Sequence, residues 1–140
     1  WRHHFASSMA LVDMALADLG GDPDRVAIGG QSMGGHGACL YASQLAPGRC
    51  CAVVACCGYL DEAEPITDTA PSAVIEPLKS TPIWIFHSEL DDSVPPPGRP
   101  QDDGDVVVKA FEAAGNTAVK YTKFGADVKP AHYIPGHAGG

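Results

Sequence analysis

The sequence predicts an α/β domain with a parallel sheet of about four strands and flanking helices. Three observations carry that prediction. Short apolar runs near 25–30, 51–56, 82–87 and 119–124 have strand length. They are separated by helical patterns or by breaks rich in Gly and Pro. Residue types that carry chemistry (Ser32, Asp91/Asp92 and His132/His137) fall just beyond three of the four runs, where open α/β sheets bind ligands.

The elements can be justified in chain order. Phe5, Met9, Val12, Leu16 and Leu19 are spaced alternately by four and three, a stripe along one helix face. Gly20-Gly21 ends that helix and Asp22-Pro23 turns the chain into the first strand. A helix from about Met33 to Leu45 follows, broken by Pro47-Gly48. Cys51 to Cys56 forms a second strand, apolar on both faces as central parallel strands are. Residues 58 to 80 carry acids and prolines without a clear period, and read as an irregular excursion with one helical turn. The third strand, Pro82 to His87, runs into the polar loop Ser88-Glu89-Leu90-Asp91-Asp92-Ser93-Val94-Pro95, and Pro95 to Pro100 is too stiff for a helix. Val107, Val108, Phe111 and Ala114 mark a helix closed by Gly115-Asn116, before the fourth strand, Val119 to Phe124.

The first strand and the helix after it meet at Gly30-Gln31-Ser32-Met33-Gly34, a Gly-x-Ser-x-Gly turn. In such a turn the serine is exposed at the tip in a strained conformation, and side chains two positions to either side would collide across it. Gly30 and Gly34 fill those positions. The following helix aims its N-terminus at the place where an oxyanion would form.

Composition excludes several function classes. A net charge of −8 with scattered Lys and Arg gives no basic stripe for nucleic acid. No apolar run approaches the ~20 residues of a membrane span. The five cysteines (Cys39, Cys50, Cys51, Cys56 and Cys57) lack the C-x₂₋₄-C spacing of a zinc site. They read as buried apolar residues in a reducing, cytoplasmic compartment. The 140 residues amount to a single domain, expected to be incomplete because the chain starts at Trp1 without methionine and stops at Gly140.

Three stretches resemble one family. "DPDRVAIGGQSMGGHGA" is similar to the nucleophile elbow of α/β-hydrolases of the esterase, dienelactone hydrolase and predicted-peptidase group. "TPIWIFHSELDDSVP" resembles their acid loop, and "KAFEAAGNTAVKYTKF" the helix and strand that lead to their catalytic histidine. The order Ser, Asp, His is theirs too. The resemblance implies Ser32 as nucleophile, Asp91 as acid ahead of its neighbour Asp92, and His137 as base ahead of His132. It implies the Met33 amide as one oxyanion donor, with the second supplied by a half of the fold that precedes this chain. His87 belongs to the turn of the acid loop, His36 is packed or solvated, and His3 and His4, neighbours ahead of the first helix, are solvated rather than ligands. Ser88 departs from the family's glycine, which puts that turn in question.

The activity implied is hydrolysis of a carboxylic ester through an acyl-enzyme on Ser32, acting on a small-molecule ester or acyl substrate. No metal or organic cofactor is required. A thioesterase or serine peptidase would use the same triad, and a non-catalytic fragment serving as a binding or vestigial module is the alternative from another class. Oligomeric state is open. The strands are expected side by side in sequence order, the first at an open edge. Val26, Ile28, Val54, Ile83 and Ile85 cannot all point to one set of helices, because strand neighbours alternate faces.

Overall fold

Four parallel strands lie side by side in sequence order: β1 (Val26–Gln31), β2 (Cys50–Cys56), β3 (Ile83–Ser88) and β4 (Val119–Phe124). The computed structural model describes residues 2–44, 48–60, 71–91, 94, 104–125 and 127. Its helices are α1 (Arg2–Leu19), α2 (Met33–Gln44), α3 (Pro71–Ile75) and α4 (Gly104–Ala113), with 3-10 turns at Pro23–Arg25 and Glu76–Leu78. The expected helical turn in the excursion is thus α3 and its 3-10 continuation. Residues 61–70 of that excursion, and the stretch Pro95 to Pro100, lie outside the described residues.

Two helices end as their glycines dictate. Gly20 (φ 68°) and Gly115 (φ 89°) take the left-handed conformation that closes a helix. In each case the next N–H turns back to a carbonyl five residues earlier: Gly21 to Leu16 at 2.9 Å, Asn116 to Phe111 at 3.0 Å. The apolar stripe of α1 is shorter than its spacing suggests. Met9, Val12 and Leu16 are half-buried, but Leu19 is 83% exposed because no described element reaches the last turn. Phe5's side chain lies outside the described residues.

The core fills one face of the sheet. Ile28, Val53 and Ile83 stand in register across β1 to β3, with Ala55 and Ile85 one step further on. They pack with Leu40 of α2, Val74 of α3, Leu78 of the second 3-10 turn, and Phe111 of α4. Burying each large aliphatic contributes ~1.5–3 kcal/mol, so this face dominates the stability of the sheet. Val54 is the one residue of the five aliphatics named above that takes the opposite face, in register with Trp84. There Trp84, 37% exposed, stacks on Phe86 at 4.6 Å between ring centroids, and Lys120 Nζ lies 3.7 Å over the indole. No described helix covers that face.

Asn116 ties three segments together from inside. Its Nδ2 donates to the carbonyls of Leu78 (2.8 Å) and Thr81 (2.9 Å), and its Oδ1 accepts from Ala118 N–H (2.8 Å). A helix-ending Gly-Asn pair is visible in sequence; this bracing of the starts of β3 and β4 is not.

Candidate active site

The turn between β1 and α2 carries its strain on the expected residue. Ser32 has φ 56°, one of only two non-glycine residues with positive φ among the described residues. For an L-residue that conformation costs roughly 1–2 kcal/mol, and two backbone bonds hold it. Ser32 N–H donates to Cys56 O at 2.8 Å, anchoring the tip to the end of β2. Ser32 O accepts from His36 N–H at 3.1 Å, the first bond of α2.

The glycines around the turn divide unequally. A Cβ on Gly30 would lie 2.3 Å from Gly34 O, so Gly30 must be bare. A Cβ on Gly34 would meet nothing within 4 Å, which corrects the expectation that both glycines are needed for the same clash. The second tight contact involves Gly35 instead: its Cβ would come within 2.9 Å of Gly58 Cα. That pair brings the start of α2 against the chain leaving β2. Sequence spacing gives no sign of it, because Gly35 and Gly58 meet only through the fold.

The N–H groups of Met33, Gly34 and Gly35 precede the first bonded amide of α2, at His36. Together they form the positive end of the helix dipole beside Ser32. Met33 N–H is next in chain to the serine. Its side chain is 47% exposed.

Asp91 lies in the turn after β3, two strands away. Its carboxylate is 2% exposed. Oδ1 accepts Val94 N–H at 2.9 Å, and Oδ2 stands 3.6 Å from His87 Nε2. His87 Nε2 lies 2.7 Å from Val94 O, and because a carbonyl only accepts, Nε2 carries the proton. Asp91 N–H bonds to Ser88 O (3.1 Å), and Leu90 N–H to Ser88 Oγ (3.1 Å). Ser88 therefore leaves the turn intact. It lacks positive φ, so glycine is not demanded there, and its hydroxyl satisfies an amide that glycine would leave bare.

Cys57, the other non-glycine residue with positive φ (40°), fills the space between the two loops. Its N–H donates to Phe86 O at 2.7 Å, and its side chain is fully buried. Burial pushes its thiol above the ordinary value; the Ser32 backbone N–H opposes that rise, and Asp91's charge adds to it. One side chain thus senses both Ser32 and Asp91. The residue reads in sequence as ordinary apolar filler, since only tertiary placement brings it there.

His36 is buried, donates from Nδ1 to Tyr59 O at 2.7 Å, and stacks on the Tyr59 ring at 4.9 Å. It is a packed residue, not a solvated one. Asp92, His132 and His137 lie outside the described residues.

The fold recurs in solved structures. A thermostable esterase superposes with a TM-score of 0.71 at 26% identity, over 96% of this chain and 31% of that one. The fold is that of the α/β-hydrolases, in part. A protein from Klebsiella pneumoniae subsp. pneumoniae assigned as a dienelactone hydrolase gives 0.67 at 24% identity, over 93% of this chain and 52% of that one. A puromycin hydrolase gives 0.57 at 19%, covering 81% and 20%. The chain therefore spans about a third to a half of the first two of these α/β-hydrolase structures. No family model and no curated protein matches it. Among the described residues, no helix is long and apolar enough to cross a membrane, and no cluster of His, Cys, Asp and Glu could hold a metal ion.

Proposed function

We propose that this chain is one incomplete α/β-hydrolase domain, and that it carries the reacting residues of a serine hydrolase that cleaves a carboxylic ester. Ser32 Oγ attacks the acyl carbon while its proton passes to the imidazole of His137. Met33 N–H stabilises the tetrahedral oxyanion, and Asp91 holds the imidazole's tautomer and stabilises the imidazolium. Collapse expels the alcohol, which takes the proton from the imidazolium. Water then attacks the acyl-enzyme, giving its proton to the same imidazole, and the imidazolium returns that proton to Ser32 Oγ as the carboxylic acid leaves. The proton inventory closes with side chains and water, so the mechanism calls for no metal or organic cofactor.

The observation that supports this reading best is the strained Ser32 at a strand-to-helix junction, with Gly30 bare beneath it and the amides of α2 ahead of it. A glycine-rich turn with only a structural role has no reason to spend strain on a serine. A small-molecule ester as substrate rests on the likeness to the esterase structure.

A fluorophosphonate probe tests the reading in the intact protein. Labelling at Ser32, abolished by Ser32→Ala, is expected. Turnover should then be greater with p-nitrophenyl esters than with acyl thioesters or aminoacyl anilides. Failure to label a folded protein would leave the non-catalytic module as the better account.

A further inference from the structure

We propose that Gly104, at the first position of α4, is a positioning residue for Asp91 and acts through His87. The inference deepens the triad reading, on which the role of Asp91 rests. Gly104 is thirteen residues from Asp91 in sequence, and no hydrogen bond joins them among the described contacts. The connection is steric. A Cβ on Gly104 would lie 2.9 Å from His87 Nδ1, 3.0 Å from His87 Cβ and 2.7 Å from Tyr121 Oη. The tyrosine hydroxyl is the far end of a long side chain and can yield. His87 Cβ is fixed to β3, so what can give is the imidazole, whose Nδ1 at 2.9 Å moves when the ring turns about the Cα–Cβ bond.

Where it can swing decides the consequence. His87 borders a cavity of about 190 Å³ that Asp91, Val94, Tyr121 and Lys123 also line. A ring turned into that space loses the 2.7 Å bond from Nε2 to Val94 O. Val94 is the residue whose N–H holds Asp91 Oδ1 at 2.9 Å. Gly104 thereby keeps the imidazole seated, the imidazole keeps Val94 seated, and Val94 aims the carboxylate. Nδ1 finds no hydrogen-bond partner among the described residues, so the contact with Gly104 is what backs that side of the ring. Gly104 has no positive φ, so backbone conformation is not what calls for glycine there.

The test uses Gly104→Ala, His87→Leu, His87→Gln and the double variant Gly104→Ala/His87→Ala, beside His87→Ala, in the intact protein. Two readouts are taken: kcat and KM on a p-nitrophenyl ester, and the Asp91 carboxyl carbon signal by NMR. Gly104→Ala and His87→Leu should lower kcat by ~10²-fold, the scale of a 1 Å misplacement, with KM little changed. Both should shift the Asp91 signal. His87→Gln, whose amide nitrogen can reach the Val94 carbonyl, should recover most of kcat. His87→Ala removes Nδ1, the closer His87 atom to the new methyl, so the double variant should be no slower than His87→Ala alone. Losses that multiply in the double variant would overturn the proposal, as would an Asp91 signal that neither Gly104→Ala nor His87→Leu moves. If Gly104→Ala does not fold, His87→Leu against His87→Gln decides it through the same signal. No turnover in the parent protein or in any variant, with the Asp91 signal still responding, would reject the triad reading while upholding the link between Gly104 and Asp91.

Discussion

A Cβ on Gly30 would stand 2.3 Å from the carbonyl oxygen of Gly34, yet a Cβ on Gly34 would meet nothing within 4 Å. The two glycines that frame the serine are therefore unequal. Gly30→Ala should force the backbone of the turn apart and cost about 1–3 kcal/mol, as overpacking does. Gly34→Ala should stay within ~1 kcal/mol of the parent, since the helix gains a better former there. Thermal midpoints of the two variants check this. Equal losses would mean that the turn closes differently from the arrangement described.

Asp91 should be the acid and Asp92 a bystander. In Asp91→Asn the amide oxygen can still accept Val94 N–H, so the loop should keep its shape. The imidazolium would lose its counter-charge, and turnover should fall by ~10⁴-fold. Replacing Asp92 should change turnover by less than about tenfold, less than 1.4 kcal/mol of barrier. Comparable losses at both positions would move the acid's register by one residue.

The cysteines should separate by burial. Cys51 is exposed and should react with a thiol reagent in the native protein, whereas Cys39 and Cys57, both buried, should react only on unfolding. Burial pushes the Cys39 thiol from 9.0 to about 12. Above pH 9 the unfolded chain releases this proton and the folded chain keeps it. Stability should then fall as pH rises from 9 toward 12, by up to ~1.4 kcal/mol per pH unit from this group. Urea midpoints of the parent and Cys39→Ala, which lacks this slope, measure the difference. Parallel curves would refute it.

Asn116→Ala should be costly, because Asn116 is a buried loop residue. It strips the carbonyls of Leu78 and Thr81 and the amide of Ala118 of their buried partner. Unsatisfied groups of that kind cost about 1–3 kcal/mol apiece, and relaxation recovers part, so a net loss of ~3 kcal/mol is expected in denaturant titration. A loss below ~1 kcal/mol would show that water replaces the amide.

The sheet face that carries Val54, Trp84 and Phe86 should make the isolated chain associate. A parallel sheet ordinarily has both faces covered, and no described helix lies over this one. Sedimentation should show concentration-dependent association of the 140 residues, reduced by Trp84→Thr with Phe86→Thr. A monomer with a cooperative unfolding transition would show that the face tolerates water as it stands.

The sequence by itself determined what short-range physics determines. Alternation and apolar runs located the four strands, because burial and the two-residue pleat leave few other readings. Gly20 and Gly115 located two helix ends, because only glycine accepts their positive φ without a Cβ penalty. Gly30 and Ser32 located the strained turn. The resemblance placed His87 in the acid-loop turn, whereas the structure places it in β3, with its ring bonded to Val94 O of that loop. The tertiary structure alone decided what depends on elements meeting: Gly35 against Gly58, Cys57 between Ser32 and Asp91, Asn116 beneath two strands, and Gly104 against His87. Those contacts join residues 17 to 38 apart, and nothing in a local pattern encodes which distant backbone will approach. The choice of face was likewise hidden, since Val54 and Val53 read alike until the sheet is assembled and only one of them meets a helix.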